Sequence, residues 1–254
     1  MNDDMAKNIL VFEEPFKDVP IYRVMHVERL IEILILQKLT LRQPKQWDDP
    51  FENFMLMSGN RRERSYPADI FGQCWSLHEE SDAMWRIYAP EKTGIKIKTS
   101  VSNLFSQFWI APEVSDTSSR SCYIGKVDYF EKDLLKKVAM MNDPGLEKKE
   151  PLNGKFIATK LLLKRKEFMH EAEVRLIYLD HFDRGKGMLS PTLSSLVQLS
   201  DNQSFQFTVN TETLIEEIMI DPRMSQHTCN AYTYYIRKLG YRGPILQSSL
   251  YSLE

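Results

Sequence analysis

The stretch FMHEAEVRLIYL, residues 168–179, places two carboxylates, Glu171 and Glu173, two positions apart at the mouth of an apolar run. In an extended strand side chains alternate between faces, so Glu171, Glu173 and Arg175 would share one face, and Val174, Leu176 and Tyr178 the other. Two acids on one face can divide a task. One carboxylate stabilises an oxocarbenium-like sugar carbon while its neighbour removes a proton from an acceptor. The same pattern also describes an exposed strand edge on which Arg175 pairs with the acids. The residue types leave both readings open.

Other groups could complete a site. Arg23 lies between Tyr22 and Val24 in IYRVM. If those two neighbours face the core, Arg23 points outward or into a cleft, where a guanidinium can hold a phosphate through two hydrogen bonds. Ser76 closes the apolar segment IFGQCWS and could orient a ligand or a carboxylate, or bond its local backbone. Trp85 and Tyr88 are three apart in SDAMWRIY, on one helical face. They could stack on a planar ring or pack into the core. The loop WDDPFE offers Asp48, Asp49 and Glu52 as caps for a helix starting near Pro50, or as ligands for a divalent ion. Lys160, Lys164, Arg165 and Lys166 suggest a basic helical patch, available to phosphates or simply solvated. His170 beside the acids suits either a metal or the surface.

The elements that must position these groups follow from the pattern. IYRVM reads as a strand, and VERLIEILILQK, residues 27–38, carries a helical apolar stripe. LTLRQ returns as a strand before Pro44. IFGQCWSL reads as the next strand, and SDAMWRIYAP as a helix capped by Ser81 and stopped by Pro90. GIKIKTS alternates Ile and Lys, the mark of a half-exposed strand. SNLFSQFWI is helical in pattern, and CYIGKVDYF, residues 122–130, reads as one strand. Residues 131–167 are lysine-rich and predicted helical around a turn-laden break, NDPGLEKKEPLNG. A polar loop with Gly185 and Gly187 follows residue 179. SFQFTVN and EEIMID are further strands, residues 224–239 a helix, and PILQSSLYS a last strand. Strands and helices mixed without strict alternation predict an α+β fold in one domain over residues 1–254, with a helical insertion around 131–167.

Composition bounds the function. The chain has 254 residues, 43% hydrophobic and 27% charged, as expected of a globular protein with a substantial core. With 33 basic and 35 acidic residues its net charge is −2, which excludes a polycation built to coat nucleic acid and leaves room for a local basic groove. Three scattered cysteines, no leader-like N-terminus and no long apolar run predict a cytoplasmic protein with no membrane partner. The signatures of dinucleotide folds, P-loops, zinc proteases and hydrolase elbows are missing. Residues 181–254 carry little readable chemistry, and nothing indicates oligomeric state.

Taken together, several segments resemble a bacterial family catalogued as domain of unknown function 2971. They are IYRVMHVERLIEILILQKLTLRQPKQWDDPFEN, CWSLHEESDAMWRIYAPEKTGIKIKTS, KVDYF and KRKEFMHEAEVRLIY. Asp48 stands where that family usually has Asn, and Phe168 where it usually has Trp. The order of an arginine on a first strand, a serine on a following strand and then Glu-x-Glu also looks like the R-S-E arrangement of ADP-ribosyltransferases. That resemblance implies a mixed or mainly antiparallel split β-sheet with flanking helices, and NAD as substrate. It implies Arg23 at the NAD pyrophosphate or ribose, and Ser76 at the nicotinamide ribose. Glu173 would face the ribose 2′-hydroxyl and the transition state, and Glu171 the acceptor, a nucleic acid or protein. Trp85 or Tyr88 would lie against nicotinamide, and Lys164 near the cofactor's phosphates. The serine strand reads C-W-S here rather than S-T-S. Two other functions fit the residues. One is a metal-dependent nuclease or phosphoesterase using Asp49, Glu171, Glu173 and Lys164. The other is a non-catalytic module of a bacterial toxin or phage-defence assembly.

Overall fold

The computed structural model describes residues 3–12, 19–52, 70–115, 122–140, 154–179 and 204–253. Helix α1 (Asp3–Ala6) and strand β1 (Ile9–Leu10) precede the expected strand–helix–strand unit of β2 (Pro20–His26), α2 (Val27–Leu36) and β3 (Lys38–Arg42). Val27, Leu30, Ile33 and Leu34 form the buried stripe of α2. Gln37 ends the helix in the left-handed region, its N–H bonding the Ile33 carbonyl. Strand β4 (Ile70–Ser76) leads to α3 (Asp82–Tyr88), where Ser81 accepts from the Met84 N–H as a cap. Then come β5 (Gly94–Ser100), α4 (Val101–Ile110), α5 (Pro112–Ser115), β6 (Cys122–Lys126), β7 (Asp128–Phe130) and α6 (Lys132–Ala139). Helix α7 (Gly154–Lys160), β8 (Leu163–Arg165), a 3₁₀ turn (Lys166–Glu171) and β9 (Glu173–Leu179) follow. The chain continues with β10 (Ser204–Thr208), α8 (Thr211–Leu214), β11 (Glu217–Ile220), α9 (Gln226–Lys238) and β12 (Ile245–Gln247).

The main sheet runs β1-β6-β9-β4-β2-β5-β11-β12 and forks at β4. One edge of β4 pairs with β9 along its whole length, from Ile70↔Leu179 to Ser76↔Glu173. The other edge is divided: Gly72 pairs with Arg42 of β3, and Ser76 with Tyr22 of β2. Strands β2 and β3 therefore diverge, and β3 carries β10 away with it. This is a split, mainly antiparallel sheet within an α+β fold, with β1–β6 and β11–β12 as its parallel pairs.

The two faces of the sheet do different jobs. Trp75, Val174, Leu176, Ile95 and Ile97 join Leu30 of α2 and Phe105 of α4 in the main core. Phe105 and Phe108 are fully buried, each contributing about 2–3 kcal/mol as an upper figure. The opposite face carries a smaller cluster of Ile70, Ile177 and Leu179 with Ile157, Leu161 and Leu162. No helix among the described residues is long and apolar enough to cross a membrane.

Four local expectations change. CYIGKVDYF is two strands: β6 stays in the main sheet, while β7 pairs with β8 in a separate two-stranded sheet. The break falls where Val127 N–H bonds the Glu173 carbonyl and Asp128 N–H bonds that of Leu162, which turns the chain off β9. Second, the lysine-rich region 131–167 is helical in α6 and α7, yet residues 163–165 are a strand. Pairing with β7 and burial of Leu161 and Leu162 override the local helical preference. Third, β5 is not half-exposed, because Lys96 is buried over the Tyr22 ring with its ammonium on the Glu79 carbonyl. Fourth, Glu171 closes the 3₁₀ turn and β9 begins only at Glu173. The break NDPGLEKKEPLNG, up to residue 153, lies outside the described residues, as do the Gly185–Gly187 loop and residues 61–69.

Candidate active site

A cavity of about 580 Å³ opens at the fork of the sheet. Its floor comes from alternate residues of β4 and β9, namely Gly72, Cys74, Ser76, Glu173 and Arg175. These share a face because Cys74 pairs with Arg175 and Ser76 with Glu173. Met84, Ile87 and Tyr88 of α3 form one wall. Trp47, Asp49 and Glu52 form another, with Phe168, His170 and Glu171 beside them. Arg23 and Arg42 line the side where β2 and β3 separate.

The acids are brought together by a turn rather than by strand alternation. Ala172, between them, adopts the left-handed region at φ 42° and ψ 55°, an uncommon conformation for a residue with a side chain. It reverses the chain so that Glu171 and Glu173 both reach Lys164, at 2.6 and 2.7 Å. Ser76 secures the turn. Its hydroxyl donates to the Glu171 carbonyl at 2.7 Å and accepts from the His78 N–H at 3.0 Å, while Leu77 N–H bonds the Ala172 carbonyl. Ser76 is thus a backbone anchor, and it supports the acids through the main chain.

Glu173 is held by two cations. Arg175 Nε lies 2.6 Å from its second oxygen, and the Tyr129 hydroxyl accepts from its backbone N–H at 2.8 Å. Glu52 shares Arg175 through the other end of the guanidinium and stands 3.8 Å from Lys164. Three buried carboxylates therefore face two buried cations. Burial raises the Glu171 pKa, and its hydrogen bond to Glu173 adds to that, pushing it up to about 8. Burial acts against the Glu173 carboxylate too, but Arg175, Glu171 and Lys164 outweigh it and hold its pKa well below the usual range. One acid of the pair is charged and the other protonated near neutral pH. Glu52 is pushed upward by burial, partly countered by Arg175 and Lys164. Cys74 is driven by burial up to about 12 and is a neutral thiol.

The packing beneath these charges depends on Gly72. A Cβ there would come within 2.6 Å of the Trp47 ring. Without it, the indole lies close to β4 and under the Arg175 guanidinium, 4.5 Å from its centre.

Arg23 occupies the site in an unexpected way. Ile21 and Met25 belong to the main core, so the alternation places Arg23 on their side and Tyr22 on the other, opposite to the sequence expectation. It lines the cavity because β2 and β3 part at this point. Burial lowers its guanidinium pKa to about 10, and Arg42 adds to the effect. Among the described residues neither arginine has an acidic partner. Two unpaired guanidiniums beside a cavity make a receptor for an anion such as a phosphate.

Several expected roles are corrected. Trp85 is fully buried, donates to Glu80 at 2.6 Å and does not line the cavity, whereas Tyr88 does. Core packing won because α3 seats Trp85 over Gly94, where a Cβ would meet the ring at 3.2 Å. Lys164 lies on a strand and holds the two acids, so it is not part of an exposed basic helix. Lys160 is buried at the end of α7, Arg165 pairs with Asp49 at 2.9 Å, and exposed Lys166 pairs with Glu131. Asp49 also accepts from the Phe51 N–H at 2.9 Å, the expected capping role. Glu52 was expected as a helix cap or metal ligand and instead pairs with Arg175, while Arg42 and Tyr129 were not singled out. Gly72 inside an apolar strand was the available sign of a close approach.

Residues 84–176 match the model of a family described as protein of unknown function (DUF2971), the family that the sequence landmarks resemble. The landmarks at residues 21–53 precede that match. No curated protein matches the chain. Among solved structures, DarT of Thermus sp. 2.9 in complex with NAD+ is 14% identical, with a TM-score of 0.40, covering 94% of this chain and 98% of that one. The same protein in complex with carba-NAD+ is 14% identical at a TM-score of 0.38, with coverages of 93% and 96%. In complex with ADP-ribosylated ssDNA the values are 13%, 0.40, 93% and 95%.

Proposed function

We propose that this chain is an NAD-using enzyme of the ADP-ribosyltransferase kind. It cleaves the nicotinamide–ribose bond and passes ADP-ribose to a nucleic acid or protein, or to water. The observation that carries this reading is the convergence of Arg23, Ser76, Glu171 and Glu173, from separate elements, on one cavity. Arg23 and Arg42 lack acidic partners among the described residues and suit a diphosphate. Glu173 supplies a negative charge pinned by Lys164 and Arg175, fixed in place beside a developing oxocarbenium centre. Glu171, with a pKa near 8, suits proton exchange with an acceptor close to neutral pH. Tyr88 offers an aromatic face at the wall. Ser76 acts through the Glu171 backbone, and Lys164 serves the acids rather than the phosphates.

The metal-dependent alternative gains no support from this donor set. Asp49 is engaged by Arg165, and Glu171 and Glu173 by Lys164 and Arg175, so fixed cations already occupy the acids. No group of three or more metal-ligating side chains is assembled among the described residues.

Incubation of the protein with NAD, alone and with single-stranded DNA, RNA or protein acceptors, should release nicotinamide. Glu173→Gln should lower that rate by about 100-fold or more. Failure to bind NAD by calorimetry, together with no nicotinamide release under any of these conditions, would refute the proposal.

A further inference from the structure

We propose that Glu52 is a positioning residue for the acid pair, the third carboxylate that keeps one proton on Glu171 and Glu173 while they face Lys164 and Arg175. In assigning that proton a use, the inference rests on the transferase reading above.

The argument starts from the arrangement of charges. Arg175 divides its guanidinium between Glu173 and Glu52. Lys164 divides its ammonium between Glu171 and Glu173, with Glu52 at 3.8 Å. The acids and both cations are all less than a tenth exposed. Full ionisation would leave one negative charge buried without a counter-ion, a costly state in a low-dielectric site. One retained proton removes it. Glu171 is the group that holds it, because Glu173 is paired to both cations and Glu52 to Arg175, while Glu171 has Lys164 as its one cation and can donate the proton to Glu173.

The remaining groups around the pair do not change the balance: Arg23 and Arg42 line the same cavity from the side where β2 and β3 part, but the ion pairs of these acids run only to Lys164 and Arg175. Cys74 and Ser76 face it from β4, Tyr88 from α3 and Tyr129 from β7. Burial raises both tyrosines and the thiol, so none is charged near neutral pH. Asp49 is matched by Arg165. Asp48 and His170 are exposed at the cavity rim, where solvent screens them. Glu52 is thus the carboxylate in excess. It reaches the cluster from residues 47–52, which also place Trp47 under Arg175, so this segment controls both the packing and the proton content of the site.

Glu52→Gln tests this. The amide keeps an oxygen for Arg175 and removes one negative charge. The titration of Glu171 is followed by carbon-13 NMR of its side-chain carboxyl in protein without NAD, with Glu171→Gln used to assign the resonance. The midpoint should fall by about one pH unit or more in Glu52→Gln. An unchanged midpoint in the folded variant overturns the proposal. Should the variant not fold, the native protein still decides: a Glu171 that titrates as an ordinary carboxyl, near about pH 4.5, also overturns it. If NAD is cleaved, the pH profile of nicotinamide release should move in the same direction in Glu52→Gln. A uniform loss at every pH would show a structural role only and would overturn the proposal. Since the titration needs no substrate, it stands or falls apart from the transferase reading. NAD cleavage with an unmoved midpoint sinks this inference alone.

Discussion

Glu171→Gln should flatten the pH-dependence of folding stability. In the folded protein Glu171 has its pKa near 8, against an ordinary value of 4.5. Between those two values the folded state binds a proton that the unfolded chain has released. The contribution is fully present below about pH 4.5 and is lost as pH rises toward about 8. At about 1.4 kcal/mol per pH unit, the full window corresponds to about 5 kcal/mol as an upper figure. Relaxation of the surroundings gives even a buried site a higher effective dielectric than a dry interior, which lowers the expectation to about 2–3 kcal/mol. Glu173 gives the opposite slope, since its pKa is depressed, but that loss falls below about pH 4.5 and outside the window. Glutamine reproduces the protonated acid: its oxygen can accept from Lys164 and its amide can donate to Glu173. Urea unfolding from about pH 5 to about pH 8 should give nearly equal stabilities at the acid end. At the alkaline end the variant should be more stable by about 2–3 kcal/mol. Parallel curves for the two proteins, or a variant less stable at about pH 8, would refute the reasoning.

Two further outcomes follow from particular contacts. Gly72→Ala puts a methyl group into the Trp47 ring, so it should cost about 1–3 kcal/mol in urea unfolding and shift tryptophan emission as the indole leaves Arg175. A variant with unchanged emission and stability would show that the indole is not confined there. Ser76→Ala removes the hydroxyl that holds the Glu171 carbonyl and the His78 N–H, and should cost about 2 kcal/mol. Since Ser76 acts through the acids, it should lower kcat for nicotinamide release with KM nearly unchanged, and a loss confined to KM would argue for direct contact with substrate.

Much of the local structure was legible. Periodicity located β2, α2, β3, β4 and α3 to within a residue or two, and Ser81 caps α3 as read. These segments succeed because each buries one face with a regular period. The lysine-rich region failed for the opposite reason. Its run of Leu161, Leu162 and Leu163 fits a helix or a strand, and only pairing with β7 decides between them. The alternation of Ile and Lys in β5 predicted exposed lysines, but Lys96 is buried between the Tyr22 ring of β2 and the Trp85 ring of α3, with its ammonium on the Glu79 carbonyl.

The site divides in the same way. Glu171, Glu173, Arg23 and Ser76 could be chosen from the sequence because strongly polar residues within or beside apolar segments need an explanation. Their pairing could not. Lys164 was expected at phosphates and Glu52 as a cap or metal ligand, and they meet the acids because β8 and residues 47–52 fold onto the same floor. The sequence by itself determined most of the strands and helices, and marked a few polar groups beside apolar segments as candidates for a site. The tertiary structure decided that β4 forks, that Arg23 reaches the cavity from the core side, and that three carboxylates meet two cations there. Local pattern sets which face each side chain takes. Charge balance and pKa depend on neighbours distant in sequence, and those are set only when the strands pair.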